Sequence, residues 1–219
     1  KRAVRDSAEQ AGAKEVYLIH EPMAAALGIG IDVEEPVGNM IIDIGGGTTG
    51  ITVIALAGIV CDQSIRIAGD EFTADIMEAL RRYHSLLIGE RTSEQIKIQV
   101  GAAMKDIDNP PDDFAVNGRD LVTGIPKQIM VSYQEIAEAL DKSIFKIEEA
   151  ILKALEQTPP ELAADIYRRG LYITGGGALL RGLDKRLSQK IKLPVHVADD
   201  PLKSVVRGTG IALKNYDRY

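Results

Sequence analysis

A run of glycines between two apolar segments carries residue types that could bind a phosphate. The stretch from Asn39 to Leu56, NMIIDIGGGTTGITVIAL, reads as a strand, a tight turn at Gly45, Gly46 and Gly47, and a second strand. Because glycine has no Cβ, backbone N–H groups at such a turn can approach an anion closely. Asp43 enters the turn, and Thr48 and Thr49 leave it. A carboxylate and hydroxyl groups beside this turn suit a phosphate with its Mg²⁺, which takes oxygen ligands and keeps several waters.

For the glycines alone, an ordinary hairpin with a flexible loop is the alternative. A second triplet, Gly175 to Gly177, follows another apolar segment and precedes a predicted helix from Ala178 to Ile191. The free N–H groups and the dipole at a helix N-terminus favour anions, although tight packing of a strand against a helix also accounts for glycines at such a junction. Two glycine triplets, each after an apolar strand, predict a nucleotide that is bound between two faces of the protein.

Other sites and partners are not supported. The sequence has no G-x-x-x-x-G-K-[ST] motif, and Gly208-x-Gly210 lacks the third glycine of a dinucleotide fingerprint. Three scattered histidines and the single Cys61 give no zinc site and no disulfide framework. A formal net charge of −6 with no basic block argues against a nucleic-acid surface and an electrostatic membrane patch.

The 219 residues suffice for one large domain or two small ones. The first predicted helix ends at Gly12, and Val16 to Ile19 then reads as a short strand with no earlier strand to pair with. From this we expect the sequence to be the C-terminal part of a longer protein. Thr92–Gln95 and Ser132–Glu135 each match a capping box, and the second should open the longest helix of the chain.

Two charged positions are ambiguous from spacing. Glu94 and Lys97 form an i,i+3 pair, which is usually an ion pair on a solvated helix face. Glu21 is equally typical of a surface carboxylate. It also follows the predicted strand directly, where functional carboxylates of α/β folds are often found.

Six segments together resemble the MreB family of bacterial actin homologues, which govern rod shape. They occur in the order and spacing of the family, from Lys1 to about Leu213, and read HEPMAAA, DIGGGTT, IAGDEF, IGERTSEQIK, TPPELAADI and ITGGGALLRGLD. DIGGGT is shared with actins, heat-shock chaperone ATPases and sugar kinases and therefore indicates only the superfamily. The other segments in series are far more specific.

The resemblance implies an α/β, actin-like ATPase fold of which most of the first half is absent. It places the end of the first large subdomain at 1–37 and the second large subdomain at 38–72 and 131–204. A small inserted α+β subdomain would occupy 73–130, and a returning C-terminal helix 205–219. The first phosphate loop of such proteins, of Asp-x-Gly-Thr type, precedes these segments and does not occur here.

The resemblance also implies roles for individual residues. Glu21 matches the residue that positions the attacking water, and Asp43 the carboxylate that organises Mg²⁺ through water; both are expected to be catalytic, together with Thr48. The remaining nucleotide contacts are expected from the phosphate loop, a nucleoside-contacting helix and an adenosine loop: Gly45, Gly46, Gly47, Thr48, Thr49; Glu94, Gln95, Ile96, Lys97; and Gly175, Gly176, Gly177, Ala178, Leu179. Gly50 and His20 depart from acidic residues common at these places.

The function implied is that of an ATP-dependent filament-forming cytoskeletal protein that organises cell-wall synthesis. Its cofactors would be ATP or ADP with Mg²⁺, its partners further copies of itself and a membrane-spanning regulator such as RodZ. It would lie in the cytoplasm at the inner face of the membrane, which the intact protein would contact through its missing part or its partners. The intact protein is expected to be a slow ATPase and this chain alone to be inactive. The alternatives are a non-catalytic fragment that docks such a regulator, and a chaperone-type ATPase domain.

Overall fold

The computed structural model describes residues 2–218, which form eight α-helices and eight β-strands. The helices are α1 (Arg2–Gln10), α2 (Glu21–Gly28), α3 (Gly69–His84), α4 (Glu90–Val100), α5 (Tyr133–Gln157), α6 (Pro160–Arg169), α7 (Leu183–Ile191) and α8 (Ser204–Lys214). The strands are β1 (Asn39–Ile44), β2 (Thr49–Ala55), β3 (Gly58–Ile65), β4 (Leu86–Leu87), β5 (Phe114–Asp120), β6 (Pro126–Val131), β7 (Leu171–Thr174) and β8 (Val195–Val197). The predicted α/β class is confirmed.

A mixed five-stranded sheet in the order β3-β2-β1-β7-β8 carries both glycine triplets. β1 pairs antiparallel with β2 and parallel with β7, with Asp43 opposite Gly50 on one side and Thr174 on the other. The predicted hairpin is therefore the centre of the sheet. The turn after β1 and the turn after β7 lie side by side, because parallel strands end at the same edge.

Both faces of this sheet are covered, as the nearly continuous apolar sequence of β1 requires. Met40, Ile42 and Ile44 point into the larger core, to which α3, α5 and α7 contribute. Ile41 points to the opposite face, into a second core formed mainly with residues of α2. The alternation follows from the two-residue period of a strand, and it fixes α2 and α3 on opposite sides of the hairpin.

A second, three-stranded sheet in the order β4-β5-β6 stands apart from the first. Its strands β4 and β5 lie within the predicted insertion 73–130, and β6 ends at Val131. The connection between β5 and β6 is short, because β5 extends to Asp120 and β6 begins at Pro126. The division into subdomains stays a prediction, and Lys1 and Tyr219, at its two ends, lie outside the described residues.

The strand predicted at 16–19 is wrong. These residues belong to neither sheet of the described chain, and Tyr17 is half exposed. A run of apolar residues becomes a strand only where another strand satisfies its N–H and C=O groups, and nothing among residues 2–218 does so here. None of the helices in this range combines the length and the low polarity needed to cross a membrane.

The two capping boxes had different outcomes. The Ser132 hydroxyl accepts from the Glu135 N–H at 3.3 Å, but the Glu135 side chain contacts His84 instead of reaching back. The box at Thr92 is wrong, because α4 begins two residues earlier and its N-cap is Gly89. The Ser93 hydroxyl is buried and donates to the Thr73 carbonyl at 2.7 Å, a contact with α3 that the local sequence does not reveal.

Candidate nucleotide site

The N-terminus of α3 is hydrogen-bonded to one side of the turn between β1 and β2. The first two N–H groups of α3, those of Gly69 and Asp70, donate to the carbonyls of Gly45 and Gly46 at 3.1 and 2.7 Å. These carbonyls therefore face α3, which leaves the other side of the turn free to present N–H groups outward. The helix N-terminus thus orients the turn.

Glycine at the tip of this turn is not required by the protein itself. A Cβ on Gly46 or Gly47 would lie 3.5–3.6 Å from the Asp70 carboxylate, which is ordinary contact. Both residues are exposed. Close approach of another molecule is the remaining reason for a bare backbone at this position, as the phosphate-loop interpretation predicts.

The two threonines after the turn have different environments. Thr48 is exposed at the tip. Thr49 is fully buried, and its hydroxyl donates to the Ile67 carbonyl at 2.7 Å. The Thr49 hydroxyl thus holds the hairpin against the segment that leads into α3, and of the two predicted hydroxyls only that of Thr48 faces outward.

A depression of about 200 Å³ brings the predicted catalytic residues together. Its lining includes Asp43, Thr48, Gly45 and Glu21, the first residue of α2. Burial raises the pKa of the Asp43 carboxyl, and the neighbouring Glu21 raises it further. A half-buried carboxylate with a second carboxylate beside it forms a site that a cation would stabilise. Gly50 also lines the depression, and a side chain there would extend into open space.

Asp43 suits Mg²⁺ held chiefly through water. Among residues 2–218 no group of three or more His, Cys, Asp or Glu side chains could bind a metal ion directly. Mg²⁺ commonly binds one or two carboxylates and completes its shell with waters and phosphate oxygens. The side-chain donors that line the depression are carboxylates and hydroxyls, among them those of Glu21, Asp43, Asp62 and Thr48, and such oxygen ligands fit this arrangement.

A larger pocket of about 550 Å³ lies on the other side of Gly45. It is lined by residues from both glycine triplets and from α3 and α4, among them Gly46, Glu94, Lys97, Gly176, Gly177 and Leu179. Since Gly45 lines both the pocket and the depression, the two meet at the glycine turn between β1 and β2. A still larger groove, of about 1190 Å³, lies between α1, residues 16–19 and α8 and contains none of the predicted site residues.

Glu94 and Lys97 are organised by α3 as a polar wall of this pocket. The Lys97 ammonium donates to the Gly69 carbonyl at 2.8 Å, to the Thr73 hydroxyl at 3.1 Å and to the Glu94 carboxylate at 2.6 Å. All three of its N–H donors are thus used inside the protein. Partial burial raises the pKa of Glu94, but the hydrogen bonds from Lys97 and Thr73 outweigh this and lower it.

This network explains which predicted nucleoside contacts are brought together. Lys97 positions Glu94, whose other oxygen stays open to the pocket. Gln95 is exposed and Ile96 is fully buried in the core, and neither lines the pocket. Thr73 was missed, because it lies 21 residues before Glu94 and nothing in the local sequence marks their contact.

In the second triplet, close packing against the end of β1 requires glycine at positions 175 and 177. Gly175 has a φ of +81°, and a Cβ there would lie 2.4 Å from Asp43 Oδ1. A Cβ on Gly177 would lie 2.2 Å from the side chain of Ile44. Of the triplet, Gly176 is the exposed residue and lines the pocket with Gly177.

The helix predicted from Ala178 is wrong at its start. Residues Gly176–Leu179 form a 3-10 turn, Leu180 is extended, and α7 begins only at Leu183 after the left-handed Gly182. No α-helix N-terminus therefore faces the pocket at this triplet. Ala178 is buried, whereas Leu179 is exposed and contributes an apolar surface to the pocket.

The family model and the individual relatives that match this chain indicate the same family. The whole chain, residues 1–219, matches the family described as MreB/Mbl protein. The cell shape-determining protein Mbl of Bacillus subtilis (strain 168) is 48% identical over 217 residues, which cover 99% of this chain and 65% of that protein. The cell shape-determining protein MreB of Escherichia coli (strain K12) is 49% identical over 222 residues, which cover 100% of this chain and 62% of that protein. The chain thus spans less than two thirds of the length of these relatives.

Solved structures share the fold. The crystal structure of MreB 5 of Spiroplasma citri bound to AMPPNP has a TM-score of 0.95 and 40% identity, and covers 99% of this chain and 65% of that one. The same protein is also known bound to ADP. The MamK double helical filament has a TM-score of 0.77 and 23% identity, and the match covers 99% of this chain and 64% of that one. This likeness concerns the fold alone.

Proposed function

Because this chain belongs to the MreB/Mbl protein family, we propose that the protein is an actin-like, ATP-dependent cytoskeletal protein that forms filaments and determines cell shape. Several relatives are cell shape-determining proteins, and MreB 5 of Spiroplasma citri binds AMPPNP and ADP. The observation that carries the proposal for this chain is the continuity of the pocket and the depression at Gly45. An elongated, polar-ended ligand such as a nucleoside triphosphate fits this arrangement.

Each end of the cleft suits one end of the nucleotide. Glu94, held by Lys97, offers a carboxylate oxygen to ribose hydroxyls, and Leu179 offers an apolar surface to the base. The outward N–H groups of the turn at Gly46 and Gly47 would donate hydrogen bonds to the phosphate chain. The Thr48 hydroxyl and the Asp43 carboxylate lie where the terminal phosphate would end. Mg²⁺ bound there would neutralise phosphate charge.

Glu21 is the proposed water-positioning residue. It lies at the first position of α2 and lines the same depression as Asp43. A carboxylate there can accept a hydrogen bond from a water molecule and so orient it towards a terminal phosphate bound against Thr48. Catalysis of this kind depends on positioning and electrostatics, and slow turnover is expected. Association with a membrane-spanning regulator such as RodZ, at the inner face of the cell membrane, belongs to the proposal and rests on the family alone.

The test compares assembly and hydrolysis in the full-length protein. Light scattering should rise with ATP and Mg²⁺, and phosphate release should follow more slowly. The Glu21→Gln variant should still assemble, but it should release phosphate more slowly than the wild type. A wild-type protein that binds neither ATP nor ADP in titration calorimetry would contradict the proposal.

A further inference from the structure

The two walls of the nucleoside end of the cleft come from distant parts of the chain and meet at one point. α4 supplies one wall, and residues 176–180 supply the other. Just beyond the pocket, Ala102 forms a parallel bridge with Arg181, and the Ala103 N–H donates to the Arg181 carbonyl at 2.8 Å. The loop after α4 is therefore paired directly with the residue that follows the opposite wall.

The Arg181 side chain strengthens this junction. Its Nη1 donates to the carbonyls of Ile98 and Gly101, at 3.2 and 3.3 Å. Carbonyls at the end of a helix have no partner within it, and a cation there also interacts favourably with the helix dipole. Arg181 thus acts as a cap for α4 that is supplied from the opposite wall of the pocket.

The end of α4 is also in close steric contact with the opposite wall. A Cβ on Gly101 would lie 2.1 Å from the Lys97 carbonyl and 3.0 Å from Leu180, so the end of α4 already touches the segment 176–180. Arg186 adds a second tie, since its Nη1 donates to the Ala103 carbonyl at 2.9 Å. Its Nε is bound to the buried Glu148 carboxylate, so changing Arg186 would leave a buried charge unpaired. Arg181 is therefore the cleaner position to perturb.

We infer that Arg181 is a positioning residue that sets the separation of the two walls around the nucleoside. The inference rests on the proposed nucleotide-binding function. Arg181 does not line the pocket and acts through α4, which carries Glu94 and Lys97. Without its guanidinium the end of α4 loses two of the hydrogen bonds that tie it to the opposite wall, and binding of a nucleoside must then order walls that are less firmly joined. Ordering of this kind weakens affinity, and we expect about a 5- to 10-fold rise in the ADP dissociation constant.

The experiment uses the full-length protein with Arg181→Ala, Arg181→Lys and the control Arg168→Ala. Arg168 lies on α6, is largely exposed, and likewise donates to a helix carbonyl, that of Ala164 at 3.3 Å. For each variant the ADP dissociation constant is measured by calorimetry, KM and kcat for ATP by phosphate release, and Tm by calorimetric melting, with binding measured well below Tm.

The inference predicts a separation of effects. Arg181→Ala should raise the ADP dissociation constant and the KM for ATP by the same factor and leave kcat at saturation unchanged, because the reacting phosphate lies at the other end of the cleft. Arg181→Lys keeps a cation with several donors at the end of α4 and should bind within about threefold of wild type. Arg168→Ala should bind ADP as wild type does.

Three results would overturn the inference. A lowered Tm with unchanged ADP affinity in Arg181→Ala would make Arg181 a stabilising cap only. A lowered kcat at unchanged affinity would place its effect at the phosphate end. If Arg181→Ala does not fold, Arg181→Gln replaces it in the experiment. A folded Arg181→Gln variant that binds ADP like wild type would show that the guanidinium does not set the separation of the walls. Absence of ADP binding by the wild type would instead refute the proposed function, and the inference with it.

Discussion

Replacing Lys97 by methionine tests whether the polar wall of the pocket is organised as the structure indicates. Methionine keeps the length and volume of the apolar stem and removes only the ammonium and its three hydrogen bonds. The Lys97 side chain is 15% exposed, whereas that of Glu94 is 48% exposed. In the variant, Glu94 can therefore be solvated, while the only side chain left to donate to the buried Gly69 carbonyl is the Thr73 hydroxyl, whose single proton is then not available to Glu94.

These contacts give the magnitude. A hydrogen bond from a charged donor contributes about 1.5 kcal/mol, and an ion pair whose carboxylate is half exposed adds about 0.5 kcal/mol. We expect the free energy of unfolding to fall by about 2 kcal/mol, which corresponds to a Tm lowered by about 4–8 °C for a chain of this size. Loss of the ordered Glu94 carboxylate should raise the ADP dissociation constant by about 3- to 10-fold and change kcat little.

The pH dependence has a defined sign. The pKa of Glu94 is lowered in the folded protein, from an ordinary value of 4.5, chiefly by Lys97 and Thr73 against the effect of burial. A group of this kind stabilises the fold at pH values above its ordinary pKa, and the contribution is lost as the pH falls through the lowered pKa. The difference in unfolding free energy between wild type and Lys97→Met should therefore be largest at pH 7 and smaller at pH 4.

The assay is urea unfolding at both pH values together with ADP calorimetry. Lys105→Met is the matched control, because Lys105 pairs with Glu138 at 2.9 Å while both side chains are 61% exposed; it should change stability by less than about 0.5 kcal/mol. If Lys97→Met is as stable as Lys105→Met and binds ADP like wild type, the network does not organise the pocket.

Three further predictions concern the phosphate end and the fold. Glu21→Ala in the full-length protein should bind ATP and assemble while hydrolysis slows by about 10²–10⁴-fold; wild-type single-turnover rates would exclude Glu21 as the water-positioning residue. Asp43→Asn should raise Tm at pH 7, because burial and Glu21 disfavour the Asp43 charge, and should lower ATP turnover by at least about 100-fold; a lowered Tm would contradict the first part. Ser132→Ala should destabilise by about 1 kcal/mol in urea unfolding, because it removes the N-cap of α5, and unchanged stability would show that the cap contributes nothing.

Sequence patterns predict the parts of this fold whose causes are local. The apolar runs around Gly45–Gly47 predict β1 and β2. In α5, the apolar residues that recur every three or four positions from Ile136 to Ile151 lie on one side of the helix and are buried. The run at 16–19 fails as a strand because pairing depends on a partner elsewhere. α4 starts before Thr92, and the Ser93 hydroxyl, within the predicted capping box, instead contacts α3.

The site is predictable to a similar extent. The glycine pattern predicts the turn after β1, whereas a role for Glu94 at the site is implied only by the resemblance to the family, because the spacing of Glu94 and Lys97 favours a solvated ion pair. The structure brings Glu94 and this turn to one cleft, with Asp43 and Glu21 at its end. Contacts between distant segments are not encoded in local spacing. The use of all three Lys97 donors and the packing of Gly175 against Asp43 are of this kind, and only the folded chain reveals them.

Photoaffinity labelling with an 8-azido derivative of ATP, followed by peptide mapping, tests the central claim most directly. The azide reacts with residues next to the base, so the label reports which part of the surface holds the nucleoside. The account predicts label within 94–98 or 176–180, on the walls of the pocket beside Gly45, and its loss when ADP is added in excess. Label in the larger groove between α1 and α8, or label that ADP does not displace, would contradict it.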